Sequence, residues 1–253
     1  MRRLGDDITL ADLEFDPDPI MARLRAEEPV CWVPALEMWL VARWDDVAFM
    51  EANPELFSAA TEPSLLARAL GPNMLTCDPP GHTRLQQIMQ PPFQPGGRSG
   101  PFVSNELARI ADELLDRVDL MADYAQLLSA GALATVLGLD HHGYEQMWTW
   151  CRGLCADIAN FGNDPELTKT GEIAKASLGE AIAQRIAHAG ADDAAISSFV
   201  RGGATPDEIV NNVRLMISGG INEPRDGIGL VVHVLLTRPD LRAEIDASPA
   251  KLR

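Results

Sequence analysis

Apolar residues recur at three- and four-residue intervals through most of this chain, the spacing of helices that bury one face. Phe15-Asp16-Pro17-Asp18-Pro19 introduces an amphipathic helix through Arg25, and Trp44-Asp45-Asp46-Val47 starts another that ends near Asn53-Pro54. Between them, Val30–Val33 and Met38–Val41 read as two short strands of a hairpin. Residues 55–75, with Pro63, Gly71 and Pro72, read as a loop region. From Asn105 onward helical spacing returns in Leu107, Ile110, Leu114, Leu115 and Val118, again from Leu127 through Leu139, and once more in Trp148, Trp150, Ile158 and Phe161. No run reaches the ~18 consecutive apolar residues expected of a membrane span, and no internal repeat appears.

Two segments are punctuated more sharply than the rest. In Thr76-Cys77-Asp78-Pro79-Pro80-Gly81-His82-Thr83-Arg84-Leu85, the prolines forbid helix before them and pre-set a first turn. A helix is therefore predicted from near Gly81 to Gln90, stopping at Pro91-Pro92, with His82 and Arg84 close to its start. A hydrogen-bond donor or cation beside free backbone N–H groups suits an anion.

The second segment opens on Thr205-Pro206-Asp207-Glu208, a capping box with proline at the first helical position. Ile209, Val213, Met216, Ile217 and Gly220 follow at helical spacing, so a long apolar helix narrows to bare backbone at Gly219-Gly220. Two interior glycines cost roughly 2 kcal/mol relative to alanine. Pro224 adds about 3 kcal/mol and removes the i+4 donor of the Gly220 carbonyl.

Composition narrows the partners. The 253 residues are 46% hydrophobic and 23% charged, ordinary for a globular fold, and the net charge of -16 would repel nucleic acid and anionic membrane. Met1-Arg2-Arg3 leads into Leu4-Gly5-Asp6-Asp7 without an apolar signal region, and the four cysteines lack a disulfide-framework spacing; a cytoplasmic location follows. Cys151 and Cys155, one helical turn apart, read as a buried structural pair, and His141-His142 as exposed histidines of a helix connection; no metal site is expected. Glu106-Leu107-Ala108-Arg109 reads as a surface i,i+3 pair.

The Asp-Pro-Pro-Gly-His-Thr-Arg-Leu segment resembles the start of helix C of bacterial cytochromes P450, and residues 205–253 resemble helix I and the helix after it. The likeness covers nearly the whole chain. It implies a mainly α fold with a small β-sheet, residues 1–253 forming the N-terminal portion of a single cytochrome P450 domain. The family's Glu-x-x-Arg pair and its haem-cysteine loop would follow Arg253, so the fold is read as truncated and the axial cysteine as lying outside these residues. The implied activity is that of a haem-thiolate monooxygenase, with haem b (heme b) as cofactor. Electrons would come from a ferredoxin- or flavodoxin-type donor or a reductase, and one oxygen atom would enter a small organic substrate, a compact aromatic or aryl ether being the suggestion. By the same resemblance His82 and Arg84 hold the haem propionates, Gly219 and Gly220 form the oxygen groove, and Asn222 and Glu223 deliver protons. Leu75, Phe161, Met216 and Ser218 face substrate.

Two departures matter. The family's arginine four residues after the helix C histidine is Gln86 here. Its acid–alcohol pair becomes Asn222-Glu223 in a gapless register, or Glu223-Pro224 with a one-residue gap. A carboxyl in place of a hydroxyl suggests the use of peroxide through Glu223. The competing expectation is a catalytically inactive fragment that lacks the thiolate ligand and acts at most as a binding or interaction module.

Overall fold

The computed structural model describes residues 3–94, 101–116 and 119–248, and the chain divides into two compact units, Met1–Thr61 and Glu62–Arg253. In the first unit, Thr9 caps helix α1 (Leu10–Phe15) in a reciprocal box with Asp12, and helix α2 (Asp18–Glu27) starts at the prolines that predicted it. Strands β1 (Val30–Val33) and β2 (Met38–Val41) pair antiparallel with Val30 opposite Val41 and Trp32 opposite Trp39. Cys31 and Val33 point to one side and join Ile8 and Leu24 in a small core, as the two-residue period of a strand requires. Helix α3 (Trp44–Ala52) completes the unit, with both strands and this helix at their predicted positions.

The second unit opens on a correction. The predicted loop 55–75 contains helix α4 (Leu65–Leu70), six residues long and started by Ser64, whose hydroxyl accepts from Ala67 N. Ala69 and Leu70 bury into the main core, so tertiary packing stabilises a helix too short to show a period. Helix α5 (Gly81–Met89) follows the two prolines, and helix α6 (Pro101–Leu114) precedes a π-helical turn at Leu120–Ala125 and helix α7 (Gln126–Leu137). Glu106 and Arg109 do form a surface pair, at 3.0 Å, extended by Glu113 and the Tyr144 hydroxyl.

Helix α8 (Tyr144–Ile158) and helix α9 (Pro165–Ala187) form the most extensive packing. Gly153 lies against Ala174 and Gly171 against Asp157, which sets the two helices antiparallel at close range. Helix α10 (Ala195–Arg201) leads into helix α11 (Pro206–Gly220), helix α12 (Asn222–Thr237) and helix α13 (Pro239–Ala247). Ile209, Val213, Ile217 and Ile221 bring α11 into a core with Leu133, Trp150, Leu154, Leu178 and Phe199. Trp150 donates its indole N–H to Ser177 Oγ at 3.1 Å, satisfying the polar edge of a buried ring.

By length and composition one stretch, Leu120–Leu137, is long and apolar enough to cross a membrane. Most of α7 is buried among its neighbours, including α6, α8 and α11, as expected of a core helix.

His142 departs from the exposed state expected of it. Its ring stands edge-on to Trp150, with centroids 5.2 Å apart, and Nε2 is buried without a hydrogen-bond partner among the described residues. Burial, then the neighbouring His141, pushes its pKa below the ordinary 6.5. The unfolded chain thus binds the proton more readily. Unfolding free energy is expected to be level with respect to this group above pH 6.5 and to fall as pH drops through the lowered folded value, with a slope of at most about 1.4 kcal/mol per pH unit. Urea melts of wild type and His142→Phe between pH 5 and 8 check this; equal slopes for the two proteins would refute it.

Candidate functional site

Helix α11 has one face in the core and another that meets loops. Thr205 Oγ1 accepts from Glu208 N at 3.3 Å while Glu208 Oε2 accepts from Thr205 N at 2.8 Å, so the predicted capping box is formed. Glu208 also pairs with Arg84 of α5. One turn on, Asn212 Oδ1 accepts from Met74 N at 3.0 Å, and Asn211 Nδ2 donates to Pro72 O at 3.0 Å. Through these bonds α5 and the loop around Met74 lie along the first two turns of α11. Glu208, Asn212, Met216 and Gly219 are four, four and three residues apart and share a helix side.

Beyond Met216 that side opens. An added Cβ at Gly219 would meet only Glu223 Oε1, at 3.8 Å, whereas one at Gly220 would meet the Leu133 side chain of α7 at 3.1 Å. The two glycines therefore differ: Gly220 permits helix packing, and Gly219 leaves a bare strip of backbone facing outward with the Glu223 carboxyl at its edge. Immediately after them α11 ends. Ile221, at φ -114° and ψ -47°, interrupts the run before α12 begins at Asn222. Pro224 has no N–H to offer Gly220, so the regular hydrogen-bond series fails where the sequence predicted.

The remaining predicted residues fall in several places. Leu75 and Phe161 are exposed, Met216 is half-buried against the core, and His82 is half-buried in the first turn of α5. Arg84 lies two residues on, about 200° around the helix from His82, and its head is taken by Glu208. The Glu208 carboxyl is held below the usual range, first by the Thr205 N–H and then by Arg84. Asn222 turns to α8, where its amide donates to Cys155 Sγ at 3.2 Å. Ser218 is buried, its hydroxyl donating to Leu215 O at 2.9 Å. Gly219 and Glu223 are thus brought together, while Asn222 contacts α8. The sequence offered no sign of Asn212, a buried anchor 138 residues from its partner, and the capping motif concealed the second partner of Glu208.

None of the four thiols stands free at the strip. Cys31 and Cys151 are buried, Cys77 donates to Met74 O at 3.7 Å, and Cys155 lies on α8. No cluster of three or more His, Cys, Asp or Glu suited to a metal ion occurs among the described residues.

No profile of a known protein family matches the chain. Curated relatives include linalool 8-monooxygenase of Pseudomonas putida, 28% identical over 88% of this chain and 62% of the relative, and cytochrome P450 CYP199A2 of Rhodopseudomonas palustris, 28% identical over 99% and 64%. Among solved structures, CalO2 superposes with a TM-score of 0.76 at 25% identity, covering 95% of this chain and 64% of CalO2. Full-length CYP116B46 of Tepidiphilus thermophilus gives 0.77 at 19% identity, over 97% and 36%. The chain is similar to bacterial cytochromes P450 along nearly its whole length and has the mainly α fold with a small sheet of the P450 structures it superposes on. It spans about three fifths of the length of the curated relatives it matches.

The contrast between the glycines yields an expected outcome. Gly219→Ala should be neutral or stabilising by up to about 1 kcal/mol, because helix propensity improves and nothing is displaced. Gly220→Ala should cost about 1 kcal/mol, since Leu133 must move. Thermal and urea melts of both variants check this, and equal effects would refute the assignment. For Arg84 and Glu208, whose side chains are 47% and 29% exposed, a double-mutant cycle should give a coupling of only about 0.5 kcal/mol. A coupling above about 2 kcal/mol would mean a desolvated pair.

Proposed function

We propose that this chain forms the distal half of a haem-thiolate monooxygenase site, acting on a small organic substrate. The observation that carries the reading is the exposed Gly219 strip at a helix break, with a carboxyl 3.8 Å from where a Cβ would stand. The residues present fit one face and one edge of a haem. Bare backbone at Gly219 admits a flat macrocycle, exposed Leu75 and half-buried Met216 offer apolar contact, and the half-buried imidazole of His82 offers a hydrogen bond to a propionate. None of the four thiols is placed there to ligate the iron, and the thiolate would have to come from other residues. When bound with a thiolate ligand, haem supplies activation of dioxygen for O–O cleavage.

The chain's own residues then have distinct tasks. Arg84 positions α5 by holding Glu208, so its part in binding a propionate is indirect. Leu75, Phe161 and Met216 exclude water and take up an apolar, aromatic-sized substrate. Ser218, buried and bonded within its helix, contributes shape. Glu223 accepts a proton at Oε1 and returns it, work a threonine hydroxyl at neutral pH does not do. Asn222 fixes the helix that carries Glu223. Electrons come from a ferredoxin- or flavodoxin-type donor or a reductase, or the need for them is bypassed by peroxide. The lack of a free thiol at the strip favours one alternative, an interaction module without turnover.

Two measurements decide. The purified protein, extended by the segment that carries the thiolate, is expected to bind haem and, reduced under carbon monoxide, to show the red-shifted Soret band of thiolate ligation; its absence would refute the reading. In that protein Glu223→Thr should lower the peroxide-driven rate about 10²–10⁴-fold, the usual worth of a positioned proton transfer. An unchanged rate would remove Glu223 from the chemistry.

A further inference from the structure

Behind the open strip, on the opposite side of the break, α8 holds both broken ends. Cys155 Sγ donates to the Ser218 carbonyl at 3.4 Å and accepts the Asn222 amide at 3.2 Å. Ser218 is the last residue but two of α11, and Asn222 is the first of α12. One sulfur therefore bonds to a residue on each side of Ile221. Cys151 Sγ, one turn earlier on α8 and fully buried, lies 4.0 Å from Cys155 Sγ. With the Cys151 S–H donating to Cys155, each donor group in this relay has an acceptor: Cys151 to Cys155, Cys155 to Ser218, Asn222 to Cys155. A second tie comes from the same helix, where the Arg225 guanidinium stands 5.0 Å from the centre of the Trp148 ring.

We propose that Cys155 is a positioning residue, a thiol clip that fixes the α11–α12 break and so sets how Gly219 and Glu223 are presented on the far side. The anchor is rigid, since Trp150, Cys151 and Leu154 of α8 are all in the core. The break needs such an anchor because Pro224 cannot donate across it to the Gly220 carbonyl. A sulfur suits the place: it gives and accepts at long range, and its polarizable volume fills the gap without demanding short bonds. The bond to Cys155, and then burial, push the Cys151 thiol up, keeping it a donor. The functional weight of the clip rests on the oxygen-groove reading above, but its existence does not. The test accordingly needs neither haem nor turnover.

Amide hydrogen exchange on the 253-residue protein, read by mass spectrometry on peptides covering α8, α9 and 217–232, tests the clip in Cys155→Ser, Cys155→Val and Cys155→Ala. Serine keeps a donor and an acceptor, valine keeps the volume alone, and alanine keeps neither. Valine and alanine are expected to speed exchange around 221–227 by at least about fivefold, with α8 and α9 unchanged and serine within about twofold of wild type. Serine behaving like valine, or acceleration spread evenly over α8, α9 and α11, would overturn the proposal, as would no change in any variant. If wild-type exchange is restored by serine while the haem reading fails, the clip stands as a structural device alone.

Discussion

Proline 224 has no N–H, and the middle of the second unit is arranged around that omission. An uninterrupted helix from Pro206 to Thr237 would offer Gly220 O a donor from residue 224 and carry one continuous face past the core. Instead the run ends at Gly220, Ile221 relaxes to φ -114°, and a second helix starts at Asn222. Ile221 remains fully buried, so the break does not open the core. The apolar anchors Ile209, Val213, Ile217 and Ile221 keep their phase on one side of the break, which leaves the opposite side free to carry bare backbone at Gly219.

Keeping such a helix in place takes polar ties from several elements. Arg214, on α11, donates to Leu70 O of α4 at 3.4 Å and to Lys175 O of α9 at 3.2 Å, and burial lowers its pKa. A planar guanidinium can address carbonyls on two helices at once, which a lysine ammonium on a flexible stem does less well. Arg68 of α4 does similar work at the end of α8, donating to Asp157 O, Asn160 O and the Asn163 side chain. Helix α4, which lies in the segment predicted as loop, is thus tied to α11, to α8 and to the connection between α8 and α9, by side chains whose partners lie up to 144 residues away.

What was legible in the sequence shares a physical type. The hairpin, the starts of α5 and α11 and the break at Pro224 all follow from prolines, caps and alternation, whose effects act within a few residues. Helix α4 was missed because six residues hold less than two turns, too few for a period, and its stability comes from Ala69 and Leu70 in the core. The angle of about 200° between His82 and Arg84 around α5 was available in the sequence, whereas the pairing of Arg84 with Glu208, 124 residues away, had no local signature. The bonds of Cys155 to Ser218 and Asn222 span 63 and 67 residues and had no local signature.

The two sides of the break make opposite demands on chemistry. Gly219 leaves its stretch of surface unfilled, as the proposed flat ligand would require, at the cost of side-chain contacts that would otherwise hold the backbone there. Rigidity has to be supplied from elsewhere. On the α8 side it comes from Cys155, from Trp148 under Arg225, and from the buried stripe of Ile217 and Ile221; at the start of α11 it comes from Asn212 and the twice-bonded Glu208. A carboxyl such as Glu223, exposed at the edge of the strip, then moves against a fixed backbone. The proton transfer proposed for Glu223 would depend on that fixity, because a donor displaced by an ångström loses most of its advantage.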